Sequence, residues 1–172
     1  MRIVSLLFGL AVLGLWWFTQ HPPTPPPNIP DPVLAAALRE ALNIRADQPI
    51  TAQVLETVTE LNLSDRADHI SDLTGLEHCV HLKRLQLQSL APAGSSGFSG
   101  HLTSIAPLAA CRELEAIDLT GQPIHDFTPL VALPNLTTVE FDSYGEPTAS
   151  LPGYDTLSGR EVLNDREFRA KR

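Results

Sequence analysis

Positive charge is scarce in this chain: 12 Lys and Arg stand against 20 Asp and Glu, for a formal net charge of −8. Grip on a phosphate backbone needs clustered Lys and Arg, so this balance argues against a nucleic-acid partner. Cysteine is scarcer still. Only Cys79 and Cys111 occur, and the N-terminal segment has none, which excludes lipoprotein attachment there. Signatures of chemistry are also missing: there is no Ser-His-Asp order, nucleophile elbow, phosphate-binding loop or zinc-hydrolase helix. His78 and His81 lie three residues apart, and His69 and His101 share a register, but two ligands without available thiolates are too few for a metal site. Enzyme activity, a resident metal and a cofactor are therefore not expected.

Long apolar runs are absent except at the very start. Arg2 is followed by Ile3 to Phe18, a run without a charged side chain. As a helix it would span roughly 24 Å, short of the ~30 Å hydrocarbon core yet long for a signal-peptide h-region. Residues 1–20 therefore read as a signal-anchor or signal peptide. Bulky Trp16, Trp17 and Phe18 stand where a signal peptidase needs small residues, which favours retention. Paired tryptophans suit a membrane interface, and the charge at Arg2 keeps the N-terminus cytoplasmic, leaving the rest outside the cytoplasmic membrane.

The remaining length suits one modest domain with accessories. Residues 21–30 form a proline-rich linker, in the stretch HPPTPPPNIPDP, whose composition favours an extended polyproline spacer. Residues 31–57 predict a helical cap: Asp31 can accept hydrogen bonds from the first turn, Pro32 suits its first position, and Val33, Leu34, Ala37, Leu38 and Ala41 make one apolar face. A second short helix is expected over Ala52 to Thr57, and apolar alternation toward Leu61 and Leu63 then marks a strand.

Residues 58–142 repeat. Ile70-x-x-Leu73-x-x-Leu76-x-x-Cys79-x-x-Leu82-x-x-Leu85-x-Leu87 can be laid over the runs beginning Leu102 and Ile124, which continue to Leu119 and Phe141. The last two copies start 124 − 102 = 22 residues apart. That period predicts an α/β leucine-rich repeat, a short solenoid of about four parallel strands with an N-terminal helical cap. Between the first two copies the step is 102 − 70 = 32, so residues 91–101 are an inserted loop, rich in Gly and Ser around a single aromatic, Phe98. Residues 143–172 break the pattern and are expected as a C-terminal tail, partly disordered.

From DPVLAAALREAL through PITAQVLETVTELNLS to ISDLTGLEHCVHLKRLQL, the chain resembles internalin-like bacterial leucine-rich repeat proteins over about residues 31–142. The resemblance implies a surface or envelope binding protein. It also implies an internal ladder of asparagine amides, from which this chain departs: the ladder places hold Arg66, Leu90, Gln122 and Tyr144, of which Gln122 alone keeps an amide. A slightly irregular solenoid is expected.

Strand alternation aims Glu60, Arg84, Gln86, Asp118, Glu140 and Asp142 at the concave face, with Asp118, Glu140 and Asp142 forming a local acidic cluster. These residues and Phe98 are the candidate partner-binding set, and a basic protein patch is the expected complement. Cys79 and Cys111 share a buried register in successive repeats, where they serve as either a disulfide or two reduced thiols. The reading is a non-enzymatic protein-binding module tethered outside the cytoplasmic membrane. An immunity protein neutralising an envelope toxin and a structural envelope component are the alternatives. Oligomeric state has no signature.

Overall fold

A computed structural model describes residues 26–89, 97–142, 152–157 and 161–164. Helix α1 spans Pro32–Ala41 and begins as its sequence dictates: Asp31 Oδ1 accepts the N–H groups of Val33 at 2.9 Å and Leu34 at 3.0 Å, and Pro32 supplies a first-turn residue with no N–H to satisfy. Leu34, Ala37 and Leu38 bury its inner face. Helix α2, Ala52–Glu56, is capped by Thr51. Together they cover the first turn of a solenoid whose apolar interior would otherwise face water.

Strands β1 (Glu60–Asn62), β2 (Arg84–Gln86), β3 (Ala116–Asp118) and β4 (Thr138–Phe141) pair in parallel and in order, so the repeat reading and the capped architecture are both present. Leu61, Leu85, Ile117 and Val139 align across the sheet as its buried middle row. Steps between equivalent strand positions are 84 − 60 = 24, 116 − 84 = 32 and 138 − 116 = 22 residues. The ten extra residues of the middle step leave the pairing register intact. Opposite the strands, 3-10 turns at Leu76–His78 and Ala106–Ala110 stack with helix α3, Thr128–Val131. The core between is almost wholly Leu, Ile, Val and Phe, with Cys79 and Cys111 buried among them.

The sheet goes one strand further than the repeat pattern reached. Helix α4 (Tyr154–Leu157) packs on α3, and β5 (Glu161–Asn164) pairs in parallel with β4. The 143–172 tail thus contributes a degenerate fifth repeat, with Leu157 buried at 1% exposure. Its remaining residues, 143–151, 158–160 and 165–172, lie outside the described residues.

The linker also differs in part from a free spacer. Ile29 packs against the core at Gly75, whose φ of +108° and empty side-chain position leave room for it. Residues 21–25 and the 1–20 apolar segment lie outside the described residues; among those described, no helix is long and apolar enough to cross a membrane.

Candidate functional site: the concave strand face

Two rows of outward side chains flank the buried middle row. The first runs Glu60, Arg84, Ala116, Thr138, and the second Asn62, Gln86, Asp118, Glu140. Arg84 Nη1 meets Glu60 Oε1 at 2.9 Å, an exposed pair that holds the guanidinium along the sheet. Ala116 and Thr138 are small, and beside them opens a shallow hollow of about 90 Å³, floored by Leu85, Ala116 and Ile117 and rimmed by Arg84, Gln86, Asp118, Thr138 and Glu140. Asp118 and Glu140 are register partners on neighbouring strands, both half-buried. Asp118 also accepts the Thr120 N–H at 2.9 Å, which fixes its carboxylate at the end of its strand.

Asp142 does not join them, which corrects the expected three-residue cluster. Strand β4 ends at Phe141, and Asp142 beyond it is 7% exposed, its Oδ2 accepting the Gly121 N–H at 2.9 Å. It ties two repeats together. The acidic part of the face is therefore the Asp118 and Glu140 pair.

The insertion returns along this same end of the strands. Its arm is bonded to the third repeat: the N–H groups of Ser99 and Gly100 donate to Gly121 O at 3.2 and 2.9 Å, and Ser99 Oγ lies 2.8 Å from both Ser89 Oγ and Ser89 O. Phe98 is half-buried, edge-on to the His125 ring with centroids 6.1 Å apart. The tip of the loop, 90–96, lies outside the described residues.

Beneath the arm, Gln122 takes over the amide role that the other ladder places lack. Its Nε2 donates to Ala67 O at 2.9 Å and Leu87 O at 3.0 Å, and its Oε1 accepts the Leu102 N–H at 3.1 Å. Arg66 instead turns outward to pair with Glu40 of α1. Leu90 and Tyr144 lie outside the described residues.

His81 pairs with Glu113 at 2.8 Å while His78 approaches Glu77, and among the described residues no three metal-ligating side chains gather. A broader groove of about 660 Å³ runs on the convex side between the first two repeats, but its carboxylates are engaged locally, Asp72 by Thr74 and Glu77 by the Gly75 N–H. Cys79 and Cys111 are free, fully buried thiols here.

No family model matches the sequence, and none of the curated proteins does. Among solved structures, the chain is similar to an internalin (inlF) from Listeria monocytogenes, with a TM-score of 0.52 at 21% identity over 78% of this chain and 43% of that one. An internalin C2 (inlC2) from the same organism gives 0.46 at 21% identity over 82% and 69%. The CBM51-2 and INT domains of Clostridium perfringens ZmpB give 0.38 at 20% identity over 70% and 19%. The chain thus spans less than half the length of the first of these. With the capped sheet and its register, the inlF likeness establishes one thing about the chain: its fold is that of an internalin-like leucine-rich repeat.

Proposed function

We propose that this chain is a non-enzymatic protein-binding module, held outside the cytoplasmic membrane by its N-terminal segment, and that its concave face receives a basic patch of a protein partner. One observation carries the reading. Arg84, Gln86, Asp118 and Glu140 rim an apolar-floored hollow, Glu60 is paired to Arg84 beside it, and the sheet beneath sets their register. Side chains mounted on strands are fixed before binding, which lowers the ordering cost of association. The adjoining Asp118 and Glu140 carboxylates favour a cationic complement, and Phe98 on its anchored arm supplies an aromatic contact at the same end of the strands. An inhibitor of a basic envelope toxin is one partner relationship with this chemistry.

The test uses the full chain in detergent as bait in native envelope extract, beside a variant carrying Asp118→Lys and Glu140→Lys, with captured proteins identified by mass spectrometry. One species held by the parent and lost by the variant supports the reading. Equal capture by both removes the acidic pair and shifts recognition to the Phe98 arm. No capture, together with co-sedimentation with cell wall, replaces the reading with a structural envelope role.

A further inference from the structure

Cys79 and Cys111 are related more closely than their shared repeat register requires. Cys79 closes the Leu76–His78 turn and Cys111 closes Ala106–Ala110, with nearly the same backbone (φ −83°, ψ 60° and φ −80°, ψ 69°), and the two turns pack on one another. The Leu76 carbonyl accepts from both residues, the Cys79 N–H at 2.9 Å and the Cys111 thiol at 3.3 Å. The thiol of the second repeat thus reaches into the turn that the first cysteine closes. Equivalent positions in stacked repeats fall near the ~4.8 Å spacing of neighbouring strands, inside the roughly 4.4–6.8 Å Cα range of a disulfide.

We propose that Cys79 and Cys111 form an inter-repeat disulfide when the chain folds in an oxidising compartment, lacing the first two repeat turns together. The occurrence of the bond in the cell rests on the extracytoplasmic placement proposed above. The oxidant is a small-molecule or protein disulfide. One cysteine thiolate attacks it, forming a mixed disulfide and expelling one thiolate; the second cysteine thiolate attacks the mixed disulfide at the protein sulfur and expels the other. Two protons leave, two cysteine thiols are oxidised, and one external disulfide is reduced to two thiols. Exchange precedes closure of the core, because burial, with Cys111 and Glu77 adding to it, pushes the Cys79 thiol up to about 12, and burial with Glu77 pushes Cys111 up to about 11. Once formed, the bond is sealed from reductant by the same burial. It encloses residues 80–110, so both ends of the 91–101 loop are tied in a short covalent ring that presents the Phe98 arm.

The full chain, refolded in detergent with glutathione and glutathione disulfide, is quenched with an alkylating agent and digested with trypsin without reduction. Material alkylated directly on lysis of expressing cells is treated alike. The expected product is peptide 67–83 joined to peptide 85–112, two hydrogens lighter than their sum. The oxidised protein should also melt at least about 5 °C above its reduced form, a difference that Cys111→Ala abolishes. Recovery of the two peptides separately from the refolded protein, alkylated or glutathione-capped, overturns the proposal. Joined peptides after refolding but alkylated ones on lysis uphold the bond and overturn the extracytoplasmic placement instead.

Discussion

Gln122 and Ala67 lie 55 positions apart in the chain, and a single 2.9 Å hydrogen bond from the Gln122 amide to the Ala67 carbonyl joins the third repeat to the first. The same amide serves Leu87 and Leu102, so one side chain satisfies three buried backbone groups where the solenoid is interrupted by an insertion. Gln122→Ala should cost roughly 2–4 kcal/mol, because each orphaned group loses a bond inside a closed core. Gln122→Asn, one methylene shorter, should recover only part of it. Urea unfolding of the three proteins checks both expectations.

Asp31 does double duty, and its ionisation should be visible in stability. While Oδ1 caps α1, Oδ2 accepts the Ser71 N–H at 2.8 Å, the Ser71 hydroxyl and the Asp72 N–H at 3.2 Å. Burial works to raise its pKa, yet the backbone N–H groups of Ser71, Leu34, Val33 and Asp72 together hold it below the ordinary 3.8. A carboxyl more acidic in the folded state contributes stability that is complete above its unfolded pKa and is lost as pH falls through the folded one. Asp31→Ala should therefore cost roughly 2–4 kcal/mol at pH 7. The gap to the parent should stay constant down to about pH 4 and narrow below it, in urea melts taken stepwise toward pH 2.

Two glycines at positive φ separate steric from conformational cost. A Cβ on Gly121 (φ +78°) would sit 1.8 Å from Ser89 O, whereas one on Gly97 (φ +125°) would meet nothing within 4 Å. Gly97→Ala should lose only conformational ease, about 1 kcal/mol, and Gly121→Ala about 2–4 kcal/mol. Gly121→Ala should also release the return arm, seen as faster proteolytic cutting within residues 90–101.

Charge reversal on the two kinds of acidic residue should split function from stability. Asp118→Lys and Glu140→Lys stand on the open face and should each shift stability by no more than about 0.5–1 kcal/mol while abolishing partner capture. Asp142→Lys places a cation in a buried seat facing the Gly121 N–H and should destabilise by about 3 kcal/mol or more. Thermal melts run beside the capture assay distinguish the two outcomes.

The repeat skeleton is legible in the sequence because each buried place recurs at a fixed spacing: Leu82, Leu114 and Leu136 precede the strands, and Leu85, Ile117 and Val139 fill them. The cap is legible because Asp31 and Pro32 each have a local physical preference. The fifth repeat escapes that reading. Asn164 pairs with Phe141, so a polar residue takes the last apolar marker of the strand, and in the sequence Gly159 occurs at the spacing before β5 at which Leu136 occurs before β4. Asp142 misleads for a different reason: alternation predicts its direction only while the strand continues, and β4 stops one residue earlier. Ile29 against Gly75 has no sequence signal, since close approach to a glycine depends on a contact some 46 residues away (75 − 29).

Ser89 and Ser99 face each other at 2.8 Å, and the register of β2 and β3 continues across the insertion as though it were not there. The excursion is a cassette closed at its neck. Its contents can lengthen, shorten or change composition at a loop-entropy cost of only about 0.6 kcal/mol per doubling, without moving a strand. Under the proposed function, recognition by this part of the molecule is thereby free to drift and be re-selected while the solenoid that carries it stays the same.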